Sequence, residues 1–257
     1  MNLATYHSEN RIGYITLNRP EKRNALSYDL IRELKTRFAE AEKDTGAKII
    51  VLKAMGDAFC AGADLAYLQQ LQNFSFEENQ ADSNHLKELF LQIYRLEKVV
   101  IAQVQGHALA GGCGLANVCD FVFAVPEAKF GYTEVKIGFI PALVSVFLIK
   151  KIGEQKAKQL LLSGDLINGE EAVRMGLVNF LAEKESLEKN VQAFATRLIK
   201  NNSAQSMQLT KRLFVDVLSM TLEEALTYAA TQNAHARGTD DCKRGIAAFL
   251  NKEDLTW

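Results

Sequence analysis

The sequence lacks an excess of charge of either sign. Its 257 residues carry 30 Lys and Arg against 31 Asp and Glu, a formal net charge of −1. That balance gives no broad electropositive field, so nucleic acid is not expected as a partner. Cysteines are few, at positions 60, 113, 119 and 242, and none forms a CxxC pair. A chain this long needs no disulfide staple, and reduced thiols in a cytoplasmic protein are expected. No basic segment followed by an apolar stretch opens the chain, so no secretory signal is read there. The longest greasy run, residues 139–149, is broken by Pro141 and Ser145. It falls well short of the ~18 apolar residues of a spanning helix, so no membrane partner is expected and the run is predicted to be buried.

What is present suits a large soluble fold. The apolar fraction of 48% supplies a substantial core and 24% charged residues an ordinary surface. Two apolar runs, residues 3–7 and 12–17, flank a polar SENR turn and predict a hairpin. Ser27 can cap a helix reaching Lys43, with Leu30, Ile31, Leu34, Phe38 and Ala41 on one face. Strand-like runs follow at 48–54, 99–104, 121–125 and 129–131, with a helix from about residue 84 to 96. This strand–strand–helix rhythm predicts stacked supersecondary units, although no repeat shows in residue identity. Beyond residue 144 the spacing is almost wholly helical, with segments at 186–200, 204–218, 221–237 and 239–250. The last helices carry too much apolar face to float free. The chain is divided into a core, 1–200, and a helical region, 201–257.

Two glycine-containing loops, residues 58–65 and 106–115, each follow a strand. Small residues let a ligand approach the backbone. The second loop runs into a helix whose first N–H groups are unpaired and positive. Two such amides converging on one oxygen would form an oxyanion hole. From spacing alone, tight turns and close packing are the plainer reading and the one preferred. Glu134 stands in an apolar stretch just before the greasiest run. Apolar surroundings raise a carboxyl pKa into a range that suits proton transfer. A surface glutamate paired with Lys136 is the alternative. Arg19, Lys22 and Arg23 form a local basic cluster suited to phosphates.

FCAGADL, GHALAGGCGLANVCD and FGYTEVKIGFIP, in that order, together with NRPEKRNAL at 18–26, resemble the enoyl-CoA hydratase/isomerase (crotonase) superfamily. The similarity covers essentially the whole chain, and methylglutaconyl-CoA hydratase-like members are nearest in motif. The resemblance implies an α/β spiral of ββα units with a C-terminal helical trimerisation region, assembled as a homotrimer or a hexamer of two trimers. It implies an acyl-CoA thioester substrate, coenzyme A entering only as part of it, with no permanently bound cofactor and no metal.

By motif match, the resemblance gives the oxyanion donors to the Ala61 and Gly111 N–H groups and the acid/base role to Glu134. Lys22, Ala25 and Leu26 fall where family members contact CoA, while Ala63, Asp64, Leu65, Gly112 and Gly114 belong to the substrate-binding loops. Family hydratases carry a second glutamate where this chain has Gly114. The reaction expected is syn hydration of a short or branched 2-enoyl-CoA, methylglutaconyl-CoA among the candidates, through Glu134 alone. Isomerisation of a 3-enoyl-CoA by the same carboxylate and non-catalytic acyl-CoA binding stay open. Asp64, which could contact substrate, reads more readily as a helix cap, His107 as structural, and Cys60 and Cys113 as packing. Tyr67, Phe74 and Phe76 are candidates for the acyl pocket, and Phe249 and Lys252 for a neighbour's CoA. Lys136, Arg237 or Lys243 would suit the distal carboxylate of a dicarboxylic chain.

Overall fold

The computed structural model describes residues 2–257. β1 (Ala4–Glu9) and β2 (Ile12–Leu17) pair antiparallel, as the alternating runs predict. Asn10 and Arg11 between them both take positive φ, 52° and 64°, which a two-residue hairpin loop requires to follow the strand twist. Ser27 caps α1 (Tyr28–Lys43), accepting from the Leu30 N–H, and the five predicted apolar residues are all buried.

The chain then repeats one step three times. β3 (Ile49–Ala54) leads to β4 (Ala58–Cys60), β5 (Val99–Val104) to β6 (His107–Leu109), and β7 (Phe121–Ala124) to β8 (Phe130–Gly131). The first strand of each pair joins a six-stranded sheet of order β1-β2-β3-β5-β7-β9, where β9 is Phe180–Leu181. The second joins a three-stranded sheet of order β4-β6-β8. Every pairing outside the hairpin is parallel. Helices occupy the crossovers: α2 (Leu65–Leu71) and α3 (Phe76–Arg95) after β4, then α4 (Gly111–Asn117) after β6. After β8 come α5 (Ala142–Ile152), α6 (Glu154–Ser163) and α7 (Gly169–Met175). This is the spiral of ββα units expected. Ile49–Leu52 and Val99–Ala102 are buried throughout, as strands covered on both faces must be.

Beyond β9 the chain is helical: α8 (Leu187–Asn201), α9 (Ala204–Val217), α10 (Leu222–Gly238) and α11 (Asp240–Asn251). α8 packs on β5 and β7, and α9 on α3 and β5. The link is polar as well as apolar. Lys211 of α9, nearly buried, donates to Asp120 (2.7 Å) and to the Lys98 carbonyl (3.0 Å), while Asp120 also accepts from the Val100 N–H.

The structure corrects the sequence reading in two places. α3 begins at Phe76, eight residues before the expected start. Its first half is polar and carries no apolar stripe. Its start is fixed instead by a capping box, Ser75 accepting from the Glu78 N–H while Glu78 accepts from the Ser75 N–H. The greasy run 139–149 is not buried within the chain. Val144 and Leu148 are, but Phe139, Ile140, Val146 and Ile149 stay 45–68% exposed. Among the described residues no helix is long and apolar enough to cross a membrane.

Removing one partner of a nearly buried ion pair strands the other, so Lys211→Met is expected to destabilise the fold by about 3 kcal/mol. Thermal unfolding should record a drop in Tm of roughly 6–10 °C. An unchanged Tm would show that the pair does not fix α9.

Candidate active site

The three strands of the small sheet run parallel, so their carboxyl ends emerge along one edge. Ala108 of β6 pairs with Cys60 on one side and Phe130 on the other. Three residues past β4 stands Ala63, two past β6 Gly111, and three past β8 Glu134. The two glycine loops and the carboxylate singled out in the sequence therefore meet at one edge, where ligands bind in open parallel sheets.

The loops touch. A Cβ added at Gly112 would lie 2.2 Å from the Cys60 carbonyl oxygen, and one at Gly62 would lie 2.9 Å from the Ala110 Cβ. Ala110 adopts φ 50°, ψ −125°, a conformation that L side chains avoid. Its N–H donates to Gly131 and its carbonyl accepts from Gly114, so this bend turns β6 directly into α4. No side chain caps α4. Its first N–H, that of Gly111, has no hydrogen-bond partner among the described residues.

The donor assigned to the first loop needs correction. The Ala61 N–H already donates to the Arg23 carbonyl at 3.0 Å. An isolated parallel bridge joins Leu26 and Ala63: the Leu26 N–H donates to Gly62 and the Asp64 N–H to Leu26. In that pattern the N–H of Ala63 itself points away from Leu26. It has no hydrogen-bond partner among the described residues, and Ala63 is exposed. Ala63, not Ala61, carries the available amide of this loop.

Glu134 opens a short 3₁₀ turn, Glu134–Ile137. One carboxylate oxygen, Oε2, is buried without a hydrogen-bond partner, and desolvation pushes its pKa above the ordinary carboxylate value. The fully buried Tyr132 ring and the Cys113 thiol lie close by. Burial pushes the Cys113 thiol up to about 11 and Cys60 up to about 12, so neither is a ready thiolate. Nδ1 of His107 accepts from the Lys129 N–H, a structural contact.

Other expected site residues are committed elsewhere. Asp64 caps α2, accepting from the Ala66 and Tyr67 N–H groups, and pairs with Arg19 at 2.7 Å. Burial would raise its pKa, but the hydrogen bonds from Arg19 and Tyr67 outweigh it and hold the carboxyl below its usual value. Arg19 is thereby withdrawn from the basic cluster, leaving Lys22 and Arg23 exposed. Gly112 and Gly114 are buried packing positions, Ala25 and Leu26 turn buried side chains inward, and Leu65 is exposed. The Tyr67 hydroxyl is held by Asp82. Phe76 and Phe249 are largely exposed and Phe74 borders on it, while Lys252 stands in the left-handed conformation ending α11. Lys136 lies within reach of Asp165, at 3.7 Å, and Lys243 of Asp240, at 4.0 Å.

Sequence reading missed Asn24. It is fully buried at φ 54°, accepts from the Arg19 N–H and donates to the Met55 and Ala58 carbonyls. It pins the basic turn against β4. An asparagine in a basic loop gives no signal of this in one sequence. A separate cavity of about 680 Å³ between α8 and α9, lined by Tyr94, Met207 and Trp257 among others, shares no residue with this edge.

Comparison with known proteins bears on the same arrangement. The family model for enoyl-CoA hydratase/isomerase matches residues 7–257. An enoyl-CoA hydratase-type protein of Thermus thermophilus is 43% identical over 241 residues, 94% of this chain and 95% of the relative. Crotonyl-CoA hydratase of Syntrophomonas wolfei is 34% identical over 246 residues, covering 95% and 93%. The crystal structure of an enoyl-CoA hydratase/isomerase-type (crotonase) protein from Legionella pneumophila superposes with a TM-score of 0.90 at 37% identity, covering 99% and 98%.

Backbone strain of the Ala110 kind costs about 1–3 kcal/mol, against about 0.5–1 kcal/mol for the extra freedom of an unfolded glycine. Ala110→Gly is therefore expected to raise Tm by roughly 2–4 °C. A lower Tm would mean that the Ala110 methyl contact with Gly62 outweighs the strain.

Proposed function

The chain belongs to the enoyl-CoA hydratase/isomerase family and is an enzyme of the crotonase superfamily, and from that premise we propose that it adds water syn across the double bond of a short or branched 2-enoyl-CoA. The observation that carries this reading is the convergence of Glu134, unpaired and desolvated, with two free backbone N–H groups on one sheet edge. In the proposed reaction Glu134 takes a proton from water as the oxygen bonds to C3. The π electrons move onto the thioester oxygen, where the Ala63 and Gly111 N–H groups hold the developing charge. The enolate then collapses, and protonated Glu134 returns its proton to C2 on the same face. The relatives named as hydratases support addition of water over the alternative, proton transfer between C2 and C4 of a 3-enoyl-CoA by the same carboxylate.

Coenzyme A enters as part of the substrate. Lys22 and Arg23, exposed beside the first loop, suit its phosphates. A methylglutaconyl chain is one candidate acyl group; its distal carboxylate would have to draw Lys136, two residues beyond Glu134, from Asp165 at 3.7 Å. The exposed apolar residues of 137–149, with Phe214, Leu218, Leu222 and Leu226 of the helical region, support assembly as a homotrimer or a hexamer of two trimers. Sedimentation of the purified protein would test the assembly.

Glu134→Gln is expected to lower hydration of the conjugated thioester by ~10²–10⁴-fold, read from loss of enoyl absorbance. Because the carboxylate must be ionised to act, the acid limb of the pH–rate profile should lie above the ordinary carboxylate range. The same shift has a stability sign: folded Glu134 binds its proton more tightly than the unfolded chain does. Its contribution is therefore most favourable at acid pH and falls as pH rises through the raised value. Glu134→Gln should accordingly raise Tm at neutral pH and lose that advantage below the ordinary carboxylate range.

Replacing the Ala63 peptide N–H by an ester oxygen should cost ~10²–10³ in kcat. The same replacement at Ala61 should act on stability instead. Equal kinetic effects at the two positions would return the donor role to Ala61.

A further inference from the structure

Gly114 lies one turn past Gly111 on α4, and the direction its side chain would take is already filled. A Cβ built there would sit 2.3 Å from Val144 Cγ1, 3.2 Å from Val144 Cβ and 3.3 Å from Phe90 Cζ. Real Cβ atoms do not approach that closely, so one of these groups would have to move. Neither is free to. Val144 is 3% exposed and Phe90 is fully buried, edge-on to Phe147, which is itself edge-on to Tyr94. Seven residues past Val144, on the same face of α5, Lys151 donates to the Asn117 carbonyl (2.9 Å) and the Cys119 carbonyl (3.1 Å) at the far end of α4. The two helices are therefore locked at both ends of their contact.

We infer that Val144, braced by Phe90, is a specificity-determining residue: it occupies the volume into which a side chain at position 114 would extend, and so holds the site to a single carboxylate. Position 114 is then glycine because the opposing helix leaves room for nothing else. A glutamate introduced there without changing Val144 has no space. One turn past Gly111, α4 thus faces an apolar wall in place of a second acceptor. For its kinetic consequence this inference rests on the reading of Glu134 as the acid/base; its packing content stands apart from that reading.

A double-mutant cycle tests the packing: Gly114→Ala, Val144→Ala and the two combined, compared by thermal unfolding. Alanine is the better helix former. Even so, Gly114→Ala is expected to lower Tm by roughly 5 °C or more through overpacking, and the pair to regain at least half of that loss. A Gly114→Ala protein as stable as the parent, or a pair whose losses simply add, would overturn the inference. Gly114→Glu in the Val144→Ala background then tests the chemistry, with hydration of a straight-chain 2-enoyl-CoA and isomerisation of a 3-enoyl-CoA read separately. The ratio of hydration to isomerisation should rise by ~10-fold or more, and the pH–rate profile should gain a second ionisation. An unchanged ratio and profile would overturn the kinetic part. A parent protein that turns over no enoyl-CoA would instead sink the Glu134 reading and the kinetic part with it, leaving the cycle to decide the packing.

Discussion

The active edge depends on the parallel pairing of three very short strands. β4, β6 and β8 run only two or three residues each, far too little to form a sheet alone. They hold because each is joined to a longer strand of the six-stranded sheet, and because β6 is clasped on both sides at Ala108. Parallel direction brings all three carboxyl ends to the same side, and the close approach at Gly112 brings the first two loops into contact. Had any one of these strands run antiparallel, its group would lie at the opposite edge. The arrangement is thus a consequence of topology: the spiral repeats one step, and each repeat brings one of the proposed functional groups to the same edge.

Helix orientation is controlled in the same economical way, by lysines that seal helix ends from neighbouring elements. Lys98 donates to the Ala41 and Asp44 carbonyls at the end of α1, and Lys48 to Ile199 and Asn202 at the end of α8. Lys156 does so for α7, and Lys151 for α4. Each ammonium satisfies orphan carbonyls and sits at the negative end of the helix dipole. Burial disfavours the charge at Lys98, Lys151 and Lys48, and the Lys48 pKa falls to about 8 by desolvation. At α4 the arrangement is asymmetric. The carbonyl end is closed by Lys151, while the amide end carries no side-chain cap. A net charge near zero, read from composition, conceals this deliberate placement of cations.

Much of this was legible in the sequence, and what was not has identifiable causes. The hairpin, the Ser27 cap, the buried strands and the isolation of Glu134 follow from local pattern and reach the structure unchanged. The allocation of backbone amides does not follow from pattern. Ala61 and Ala63 are chemically identical residues two apart, and only the bridge to Leu26 decides which N–H is free. Arg19 reads as part of a basic cluster until Asp64 is folded against it. The first half of α3 has no apolar stripe because that half is largely solvent-exposed, so periodicity is silent there. Residues 139–149 look like core because apolar runs usually are. Phe139, Ile140, Val146 and Ile149 nevertheless stay exposed in the folded chain, because only Val144 and Leu148 of the run turn fully inward, and composition cannot express that division.

If Glu134 acts alone, as proposed, it is tuned differently from a member of a carboxylate pair. Two neighbouring carboxylates raise each other's pKa by repulsion, so a paired site gains a proton-holding group from charge alone. A single carboxylate has no such neighbour, and desolvation becomes the main way to raise its pKa. Desolvation is the dominant cause of the upward shift at Glu134, and Oε2 is buried with no donor to favour the charged form. The glycine at 114, with Val144 and Phe90 packed over it, therefore fits the tuning as well as the space: the wall that excludes a second charge also keeps donors and water from that side of α4. Burial of Oε2 supplies the environment in which, on the proposed reading, one glutamate both takes and returns a proton. That environment disfavours the ionised form, so a base of the proposed kind is kept reactive at a cost in stability at neutral pH.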